Sequence, residues 1–413
     1  MRPIERDFTL SDAKDRVIKE IDNLGLMWRK EVYGKNILTI VVTLKHPKNN
    51  NQTMGVGKGD YDNAFVGALF EALEHYIEDF SSPLATVRPA KTLMRKGILA
   101  SDDVLDMIST QPDSHLATRR FASTAGDFYY PLALCDPNYS RKPLADDNFD
   151  YRYLARYGSN SGIAIGANRN EALLHGINEC IERDALSLFL IQGLYSRSPC
   201  TIYEIDKQSL PEDVARSWQN SEEEIQQRIR VLDITQGLKC RTYLALAEKS
   251  KLIKYPIGCG TSLHPHHALQ RALSELVQIN AVFNHSQEIQ RENEVLHQRL
   301  LRYKKLERCF CMRTADIFNT NEVLLCRLPV SDHADSRPAE DLVEIEQDLI
   351  EQGFVIGKSI LYETSQVCLT NVLIPSFERF YIITSGNIVL PLLRGRRSLE
   401  KKNYLKMILP SGG

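Results

Sequence analysis

The sequence predicts a mixed α+β fold, built as one composite domain with mixed sheets and several long helices. Segments of helical periodicity alternate with β-rich runs, but without the regular strand–helix–strand spacing of a doubly wound parallel sheet. Hydrophobic residues make up 43% of the 413 residues and charged residues 25%, which is ordinary globular usage. The chain can therefore bury a substantial core, and its composition excludes a long disordered protein.

Four segments have strong helical periodicity, and three others have a shorter or more charged helical pattern. The strong helices are predicted over Ser11–Leu24, Ala64–Phe80, Asn170–Gln192 and His267–Phe283. The weaker helices are predicted near Asp102–Ile108, around Glu222–Arg228 and over Leu296–Glu307. The first helix is expected to begin at a cap formed by Thr9 or Ser11.

The strand predictions rest on β-branched and aromatic runs. They cover Trp28–Leu44, with Ile37–Leu44 as a buried strand, and the segments Phe380–Ile383 and Ile388–Leu393 near the end of the chain. The following stretch 45–63, rich in Asn and Gly, predicts a polar loop. The sequence reveals no internal repeat.

The single composite domain, 1–413, is predicted to have four subregions. An N-terminal part, 1–80, ends with the first strong helix, and 81–158 forms an intervening subdomain or lid. The central part, 159–330, carries the other two strong helices, and 331–413 is a C-terminal α/β part.

Net charge and the distribution of apolar residues restrict the expected partners and cellular compartment. Lys and Arg total 51 and Asp and Glu total 53, so neither a nucleic acid nor an anionic membrane is expected as the main partner. No apolar run approaches the roughly 18 residues of a membrane-spanning helix, and the first residues lack the apolar core of a secretory signal. We therefore expect a cytoplasmic protein with no membrane contact.

The nine cysteines lie between Cys135 and Cys368 without a CxxC pair. This spacing argues against a disulfide framework and against a thiolate zinc site. Cys309 and Cys311 come closest to a pair, and we interpret them as two partly buried thiols on one face of a strand.

The helix predicted over Ala64–Phe80 carries like charges on one face. Glu71, Glu74 and Glu78 fall within about 60° of one another, opposite an apolar stripe. Solvated helix faces usually pair Glu with Lys at i,i+4, but this segment has no Lys or Arg. A solvated face is the alternative for any single helix. Carboxylates on several helices around one cleft instead favour magnesium bound to nucleotide phosphates.

The second and third strong helices also place polar side chains opposite apolar stripes. In the second helix an arc of about 100° holds Glu171, His175, Asn178, Glu179 and Glu182. In the third an arc of about 60° holds Arg271, Glu275 and Gln278. Three helices with such faces make a shared polar cleft more probable than three unrelated solvated surfaces.

A turn of small residues leads into the second helix. Backbone amides and the positive helix end can approach an anion there, with Ser161, Gly162 and Gly166 as candidate contacts. The alternative is a tight turn without a ligand. Lys58, flanked by glycines, is a candidate phosphate contact, although its surroundings do not match a Walker P-loop.

Three segments resemble the motifs of the YcaO family. Residues 159–185, SNSGIAIGANRNEALLHGINECIERDA, are similar to its central motif, in which a glycine-rich turn leads to a helix ending in ExxERDA. Residues 57–75 resemble its first ATP-site motif, and residues 268–278 resemble its third. The three occur in family order, and a weaker similarity over 374–395 extends the resemblance to most of the chain.

The resemblance implies an enzyme that uses ATP and magnesium to activate a peptide amide. In the best-known group of the family, a Cys, Ser or Thr side chain of a ribosomally made precursor attacks the preceding carbonyl. ATP phosphorylates the resulting oxygen, and loss of phosphate closes a thiazoline or oxazoline ring. Phosphorylation supplies a leaving group, while magnesium neutralises the charge of the transfer.

The family motifs assign roles to residues of this chain at matching positions. The implied magnesium ligands are Glu71, Glu74, Glu179 and Glu182. The candidate catalytic residues are Glu179, Glu182 and Arg271. Together with the turn and lysine candidates, the predicted nucleotide-binding set is Lys58, Glu71, Glu74, Ser161, Gly162, Gly166, His175, Glu179, Glu182, Arg271, Glu275 and Gln278. Glu171 is a second-rank candidate.

The resemblance also implies partners. It is strongest to the stand-alone YcaO subunit of microcin B-type synthetases, which acts on a precursor peptide with an E1-like peptide-binding subunit and an FMN-dependent azoline dehydrogenase. The chain departs from the family pattern at Gly67, where Ser is usual, and at His75, where Arg is common. Its tail, 409–413, has one proline where azoline-forming members often have PxPxP.

Alternatives of two classes remain open at the sequence level. A thioamide- or amidine-forming enzyme of the same family would admit an external sulfide or amine, and a non-catalytic scaffold would bind nucleotide only weakly. The histidines His264, His266 and His267 predict a polar turn and helix cap, with a transition-metal site as the alternative. The charged run 287–305 predicts a solvated helix, with a partner surface as the alternative.

Overall fold

The computed structural model describes residues 2–80, 84–196, 198–330 and 336–408, with side chains up to residue 400. Over these residues the chain forms ten α-helices: α1 (Leu10–Asn23), α2 (Tyr61–Phe80), α3 (Arg169–Phe189), α4 (Glu212–Ile225), α5 (Pro265–His285), α6 (Gln287–Leu300), α7 (Lys304–Cys311), α8 (Thr314–Phe318), α9 (Pro338–Glu351) and α10 (Leu393–Ile408). The predicted tail residues 409–413 lie outside the described residues.

The same ranges contain fourteen strands, which form four small sheets. They are β1 (Met27–Tyr33), β2 (Leu38–Lys45), β3 (Gln52–Gly59), β4 (Thr86–Pro89), β5 (His115–Phe121), β6 (Phe128–Pro131), β7 (Ile163–Gly166), β8 (Thr201–Ile205), β9 (Ile229–Asp233), β10 (Arg241–Ala247), β11 (Ile257–Ser262), β12 (Glu322–Cys326), β13 (Gly357–Glu363) and β14 (Cys368–Leu373).

The sheets are antiparallel except at one pair. Three have three strands each, in the orders β1-β2-β3, β4-β5-β6 and β13-β14-β7. The fourth has the order β11-β10-β9-β8-β12, and its edge strand β12 runs parallel to β8. Small sheets interspersed with helices confirm the predicted α+β class.

Three helices connect these sheets. α2 packs on β3 and β2, α5 packs on β11 and β10, and α3 packs on β14 and β7 while also contacting α9 and β11. Nearly every side chain of α3 is buried, including several polar ones. α3 therefore lies at the centre of the molecule, between the elements that carry the other two acidic helices.

The backbone of α2 lies very close to β3 because two of the strand's buried residues are glycines, while the third, Thr53, donates from Oγ1 to the Ala72 carbonyl oxygen at 3.0 Å. A Cβ added at Gly57 would lie 1.8 Å from the Ala64 carbonyl oxygen, and one added at Gly55 would lie 2.1 Å from the Ala72 nitrogen. Only glycine leaves room for a helix at this distance. The backbone of α2 therefore rests directly on the strand.

The contact between α5 and β11 repeats this arrangement. A Cβ at Gly260 would lie 2.2 Å from the Ala268 carbonyl oxygen, and one at Gly258 would lie 2.1 Å from the Ala272 carbonyl oxygen. The two strand–turn–helix units share little sequence beyond small residues and apolar positions, so the repeat was not visible in the sequence. The two units are similar in packing, and the prediction that the sequence has no internal repeat stays a prediction.

The predicted polar loop 45–63 contains strand β3. Its alternation was missed because Gly55 and Gly57 occupy the buried face, where strand patterns usually show large apolar residues. Two predicted C-terminal strands are also wrong. Phe380–Ser385 is a 3-10 helix, and the described residues 388–392 contain no strand. The first run, Phe380–Ile383, is buried throughout, and a short buried apolar run does not distinguish strand from helix.

Several helix boundaries differ from the prediction. The helix placed around Glu222–Arg228 is the end of α4, whose earlier turns were not predicted. The segment Leu296–Glu307 spans two helices, α6 and α7, so Cys309 and Cys311 lie on α7 and not on a strand. Both of these thiols are fully buried.

The intervening segment, described from residue 84 to 158, carries sheet β4-β5-β6 and several 3-10 turns. Its apolar side chains belong to the same large core as the C-terminal end of α3 and helix α7. The segment is therefore packed into the body of the molecule, and its predicted role as a lid stays a prediction.

No helix among the described residues combines the length and the apolar character that crossing a bilayer requires.

The glycine contact predicts opposite effects for two Gly→Ala substitutions in one unit. Gly57→Ala forces a Cβ into the backbone of α2, so it should destabilise the fold by roughly 3 kcal/mol or more. Gly67→Ala lies on the exposed face of α2, where the nearest atom to an added Cβ is 3.8 Å away. It should stabilise the helix by about 0.5–1 kcal/mol. Urea unfolding of both variants checks this, and equal effects would contradict the packing described.

Candidate functional site

The polar faces of α2 and α5 meet at the backbone of β3. Gln278 of α5 donates a hydrogen bond from Nε2 to the Val56 carbonyl oxygen at 2.6 Å. The Val56 backbone also hydrogen-bonds to Glu71 of α2. This contact is possible because the neighbouring glycines let both helices approach the strand. The structure therefore brings the first and third predicted acidic helices together.

The second helix joins them through β7 and the glycine-rich turn before it. Gly162 N donates to Glu179 Oε2 at 2.8 Å, and Ile165 N donates to Glu74 Oε2 at 2.8 Å. The sequence predicts that backbone amides here approach an anion, and the anions in the structure are the chain's own carboxylates. The turn thus positions the acids of α2 and α3 side by side.

Two glycines of this turn are required by its geometry. Gly162 has φ +82°, and an added Cβ would lie 2.0 Å from the Val372 carbonyl oxygen. An added Cβ at Gly166 would lie 2.6 Å from a backbone nitrogen of α3. Ser161, another candidate ligand, donates its N–H to Ser159 Oγ at 2.9 Å, within the turn itself. These residues shape the turn, and their contact with a ligand stays a prediction.

Burial and mutual repulsion raise the pKa of the clustered acids. Burial is the largest cause for Glu74, whose pKa is well above its usual range, followed by the charges of Glu179 and Glu71. Burial and then the charge of Glu275 raise the pKa of Glu182 to about 7. The pKa of Glu71 is also raised, mainly by burial. A cation bound among these carboxylates would relieve the repulsion.

Lys58 pairs with one member of this cluster. Its Nζ lies 2.7 Å from Glu275 Oε2. Burial alone would raise the pKa of Glu275, but the ammonium group and its hydrogen bond outweigh burial, and the pKa is lowered. Lys58 therefore lies inside the predicted site, between α5 and the strand that carries it.

Arg183 is a site residue that the sequence prediction missed. Its guanidinium donates from Nη2 to Glu179 Oε1 at 3.2 Å and lies 4.9 Å from the centre of the Tyr381 ring. Burial opposes its charge, but Glu179 and Glu182 nearby raise its pKa overall. Its signal was present in the sequence, because it directly follows Glu182 in the ERDA segment.

Glu78 extends the acidic row of α2 toward the intervening segment. Burial, followed by the charge of Asp136, raises the pKa of Glu78 to about 7, and Asn160 hydrogen-bonds to it. Asp136 comes from a loop and carried no pattern that could have identified it, whereas Asn160 belongs to the glycine-rich entry of the central motif but was not singled out. The acidic row therefore runs from β3 to the boundary of the glycine-rich turn.

His175 and Arg271 lie deeper in the cleft. Among the described residues, His175 Nδ1 and Arg271 Nε are buried without a hydrogen-bond partner. Burial, followed by the charge of Arg271, lowers the pKa of His175 well below its usual range, so the imidazole is neutral. Buried nitrogens without partners are expensive unless a ligand or water satisfies them.

Glu171 lies apart from the cluster. Its carboxylate accepts hydrogen bonds from Asp7 N at 2.7 Å and from Ala167 N at 3.2 Å, at the start of α3. These contacts occupy both oxygens with backbone donors. The second-rank site prediction for Glu171 is not supported by its position.

The histidines ahead of α5 do not share a ligand site. His264 occupies the N-cap position of the helix, and its Nε2 lies 2.9 Å from Asp341 Oδ2. His267 Nε2 lies 3.7 Å from Glu5 Oε2. The two imidazoles thus face different acids and do not converge on one point.

The predicted magnesium ligands are close but do not form a finished metal centre. In the described ranges, three potential ligand atoms come within 4.8 Å of one another at His297, Glu307 and Cys311, but not among the four predicted acids. Magnesium usually takes one or two carboxylates and keeps water and phosphate oxygens. Magnesium binding by the four acids therefore stays a prediction, in which water and nucleotide phosphates would supply the remaining ligands.

The raised pKa values predict how stability depends on pH. The pKa of Glu182 is about 7 in the fold against 4.5 for an ordinary Glu, so its bound proton stabilises the fold below pH 4.5. This contribution, up to about 3 kcal/mol, is lost as the pH rises through 7. We therefore expect the melting temperature without nucleotide or divalent cation to fall between about pH 5 and 7.5.

Glu182→Gln is neutral at every pH, so this substitution should lessen the fall in melting temperature. It should not abolish the fall, because Glu71 and Glu74 still titrate. Asp15→Asn, on the exposed face of α1, should leave it unchanged. Identical pH slopes for Glu182→Gln and the unsubstituted protein would contradict the assignment.

Several solved structures share the fold of this chain at low sequence identity. The YcaO protein from Methanopyrus kandleri bound with AMPPCP and Mg2+ has a TM-score of 0.66 and 16% identity, covering 94% of this chain and 97% of that one. A heterocyclase in complex with substrate and cofactor has a TM-score of 0.61 and 18% identity, covering 92% of this chain and 54% of that one. The McbBCD microcin synthetase complex of E. coli has a TM-score of 0.58 and 15% identity, covering 85% of this chain and 88% of that one.

Among curated proteins, an uncharacterized protein of Methanothermobacter thermautotrophicus is 32% identical over 128 residues. The chain spans about a third of the length of that relative, since the match covers 32% of it and 30% of this chain. At these identities the structural neighbours establish the fold alone.

The family follows from a direct match to the sequence. A family model described as YcaO cyclodehydratase, ATP- and Mg2+-binding, matches residues 56–378, most of the chain. The match covers all three motifs on which the resemblance rests, and its description agrees with ATP and magnesium as the expected cofactors. The chain belongs to the YcaO family.

Proposed function

We propose that the protein is an ATP- and magnesium-dependent cyclodehydratase. It would convert Cys, Ser or Thr residues of a ribosomally made precursor peptide into thiazoline or oxazoline rings, by phosphorylation of the backbone amide oxygen. It would act as one subunit of an azole-forming synthetase. Thioamide and amidine formation are the competing reactions, and the test below separates them by product mass.

One observation carries this proposal: buried acids from three helices lie next to cations. Glu74 and Glu179 accept hydrogen bonds from neighbouring backbone amides, and burial, followed by the charge of Glu275, raises the pKa of Glu182 to about 7. Lys58 and Arg183 are each paired with one acid of the cluster. Alternating charges of this kind match a metal–triphosphate complex, which carries both signs.

The residues divide into two groups by proposed role. Glu71, Glu74, Glu179 and Glu182 would hold magnesium. Lys58, His175, Arg271, Glu275 and Gln278 would hold and orient the nucleotide. Arg183, added by the structure, would face the phosphates from the Tyr381 side.

Bound ATP supplies the phosphoryl group that turns the amide oxygen into a leaving group, and magnesium offsets the charge of the transfer. Among the chain's own groups, Arg271 is suited to stabilise that charge because its Nε is buried and lacks a partner among the described residues. Glu179 and Glu182 would fix the metal at the transferred group. The neutral His175 offers a buried nitrogen that adds no further charge.

The partner proposal rests on similarity. One structural neighbour is a heterocyclase in complex with substrate, and another is a microcin synthetase complex of several subunits. We propose that this chain likewise works with an E1-like peptide-binding subunit and an FMN-dependent azoline dehydrogenase. A cytoplasmic location is supported by nine free cysteines, seven of them buried, since free thiols persist in reducing compartments.

The test is mass spectrometry of a Cys- and Ser-containing peptide incubated with the protein, its candidate partners, ATP and magnesium. Ring formation lowers the peptide mass by one water per ring and releases phosphate. Replacement of oxygen by sulfur would indicate thioamide formation instead, and loss of water with incorporation of an amine would indicate an amidine. Nucleotide binding without any mass change would favour a scaffold.

Substitution of the central acid tests the site directly. Glu179→Gln keeps an acceptor for Gly162 N but removes the negative charge, so peptide-dependent phosphate release should fall by roughly a hundredfold or more. Glu182→Ala should have a similar effect. Glu223→Gln, an exposed acid of α4, serves as the control and should keep full activity. Retained turnover in Glu179→Gln, measured as phosphate release, would reject the assignment.

A further inference from the structure

A second cluster of metal-ligating side chains lies at the junction of α6 and α7. His297 comes from the last turn of α6, while Glu307 and Cys311 come from α7. These three side chains place a nitrogen, a carboxylate oxygen and a sulfur within 4.8 Å of one another. None of them belongs to the predicted nucleotide-binding set. The function proposed above therefore gives this cluster no role.

The arrangement of the two helices explains why the side chains meet. Glu307 and Cys311 are four residues apart on α7, so they lie on the same face of the helix. A connection of residues 301–303 joins α6 to α7, and the two helices contact each other. Cys311 is fully buried, whereas 15% of the His297 side chain and 13% of the Glu307 side chain are exposed. One side of the cluster is therefore open to a water molecule.

The distances among the three groups are close to those of a tetrahedral zinc site. His297 Nε2 lies 2.9 Å from Glu307 Oε1, and Cys311 Sγ lies 3.2 Å from the same oxygen. Zinc bonds of about 2.0–2.3 Å at tetrahedral angles would separate such ligand atoms by about 3.3–3.6 Å. The three side chains therefore need only a small outward shift to bind zinc.

Arg313 supplies positive charge to this cluster. Its guanidinium donates hydrogen bonds to Glu307, and Nη2 also donates to Cys311 Sγ at 3.3 Å. The arginine side chain is 36% exposed, and its Nη1 lies 3.5 Å from Asp316 Oδ2. Because a second acid and solvent are within reach, the guanidinium can leave Glu307 when a metal ion takes over its charge. Arg313 therefore competes with a metal without closing the site.

The imidazole of His297 is only partly satisfied by these ion pairs. Its Nδ1 is buried and, among the described residues, has no hydrogen-bond partner. A buried polar atom of this kind is unfavourable unless a ligand or water satisfies it. The network of Glu307 and Arg313 thus leaves unused binding capacity at this histidine.

We propose that His297, Glu307 and Cys311 form a zinc site with water as the fourth ligand. Imidazole and thiolate ligands favour zinc over magnesium, and a carboxylate is a usual companion ligand. Without metal, the Cys311 thiol donates a hydrogen bond to Glu307 Oε1. Zinc binding forms a Zn–S bond and releases the thiol proton to solvent. The sequence argues against a thiolate zinc site because it lacks a CxxC pair, but ligands from two helices escape such a spacing rule.

Cobalt titration of the chelator-treated protein tests the proposal. Co²⁺ can replace zinc in sites with nitrogen and sulfur ligands, and a cysteine ligand gives a thiolate-to-cobalt charge-transfer band. Excess magnesium in the buffer competes for sites made of carboxylates alone. We expect about one Co²⁺ per chain with this band, displaced by added zinc.

Substitutions assign the ligands. Cys311→Ser should abolish the charge-transfer band, and His297→Ala and Glu307→Gln should each weaken cobalt binding at least about tenfold. Cys326→Ser removes a partly buried thiol of β12 and should bind cobalt as the unsubstituted protein does. Arg313→Gln removes the competing guanidinium and should bind cobalt at least as tightly as the unsubstituted protein.

Three results overturn the inference. The first is the absence of a thiolate band in the unsubstituted protein, a result that depends on no variant. The second is a band that Cys311→Ser leaves unchanged, which would place the metal at another thiol. The third is unchanged cobalt affinity in both His297→Ala and Glu307→Gln. The zinc site shares no residue with the predicted ATP site, so a failure to bind AMPPCP would reject the proposed function and leave this inference intact.

Discussion

The geometry of the site depends on two helices, α2 and α5, that pack directly against glycines of the strands β3 and β11. At two glycines of β3 and two of β11 there is no side chain between strand and helix, so α2 and α5 approach the strand backbones directly. This distance lets a glutamine of α5 and a glutamate of α2 reach the same residue, Val56. Larger residues on either strand would move the helices outward, and the polar faces would no longer converge. A steric condition thus decides where the charged groups lie.

The convergence has an electrostatic cost. The acids of α2, α3 and α5 repel one another, and burial together with this repulsion raises the pKa of Glu71, Glu74 and Glu182. The fold offsets part of it with backbone amides from β7 and with Lys58 and Arg183. A site that is incompletely neutralised is poised to bind cations, because a metal ion supplies the charge that the protein lacks.

The central position of α3 explains why its polar residues differ in role. Glu179 and Glu182 face the acids of the neighbouring helices, whereas Glu171 binds backbone amides at the start of the same helix. Helical periodicity places all three on one face of α3, because it gives only the angular position of a residue about the helix axis. Which of them reach the cleft depends on what packs along the length of the helix.

Helix prediction succeeded where the apolar period was long and uninterrupted, as in α2, α3 and α5. Strand prediction failed at β3, where two of the buried residues are glycines, and at Phe380–Ile383, which is buried throughout. The acid faces were predictable because like charges without matching lysines are unusual on a solvated helix. The contact of Asp136 with this row was not predictable, because loops carry no period from which to infer the direction of a side chain.

By itself, the sequence determined the α+β class, the three acidic helices and the family motifs, since periodicity and motif spacing are local properties of the chain. Only the tertiary structure decided which acids meet, which backbone amides hold them, and that Arg183 lies between Glu179 and the Tyr381 ring. The physical reason is that charge interactions act across space between residues far apart in sequence, and the packing of helices on glycine strands sets those distances.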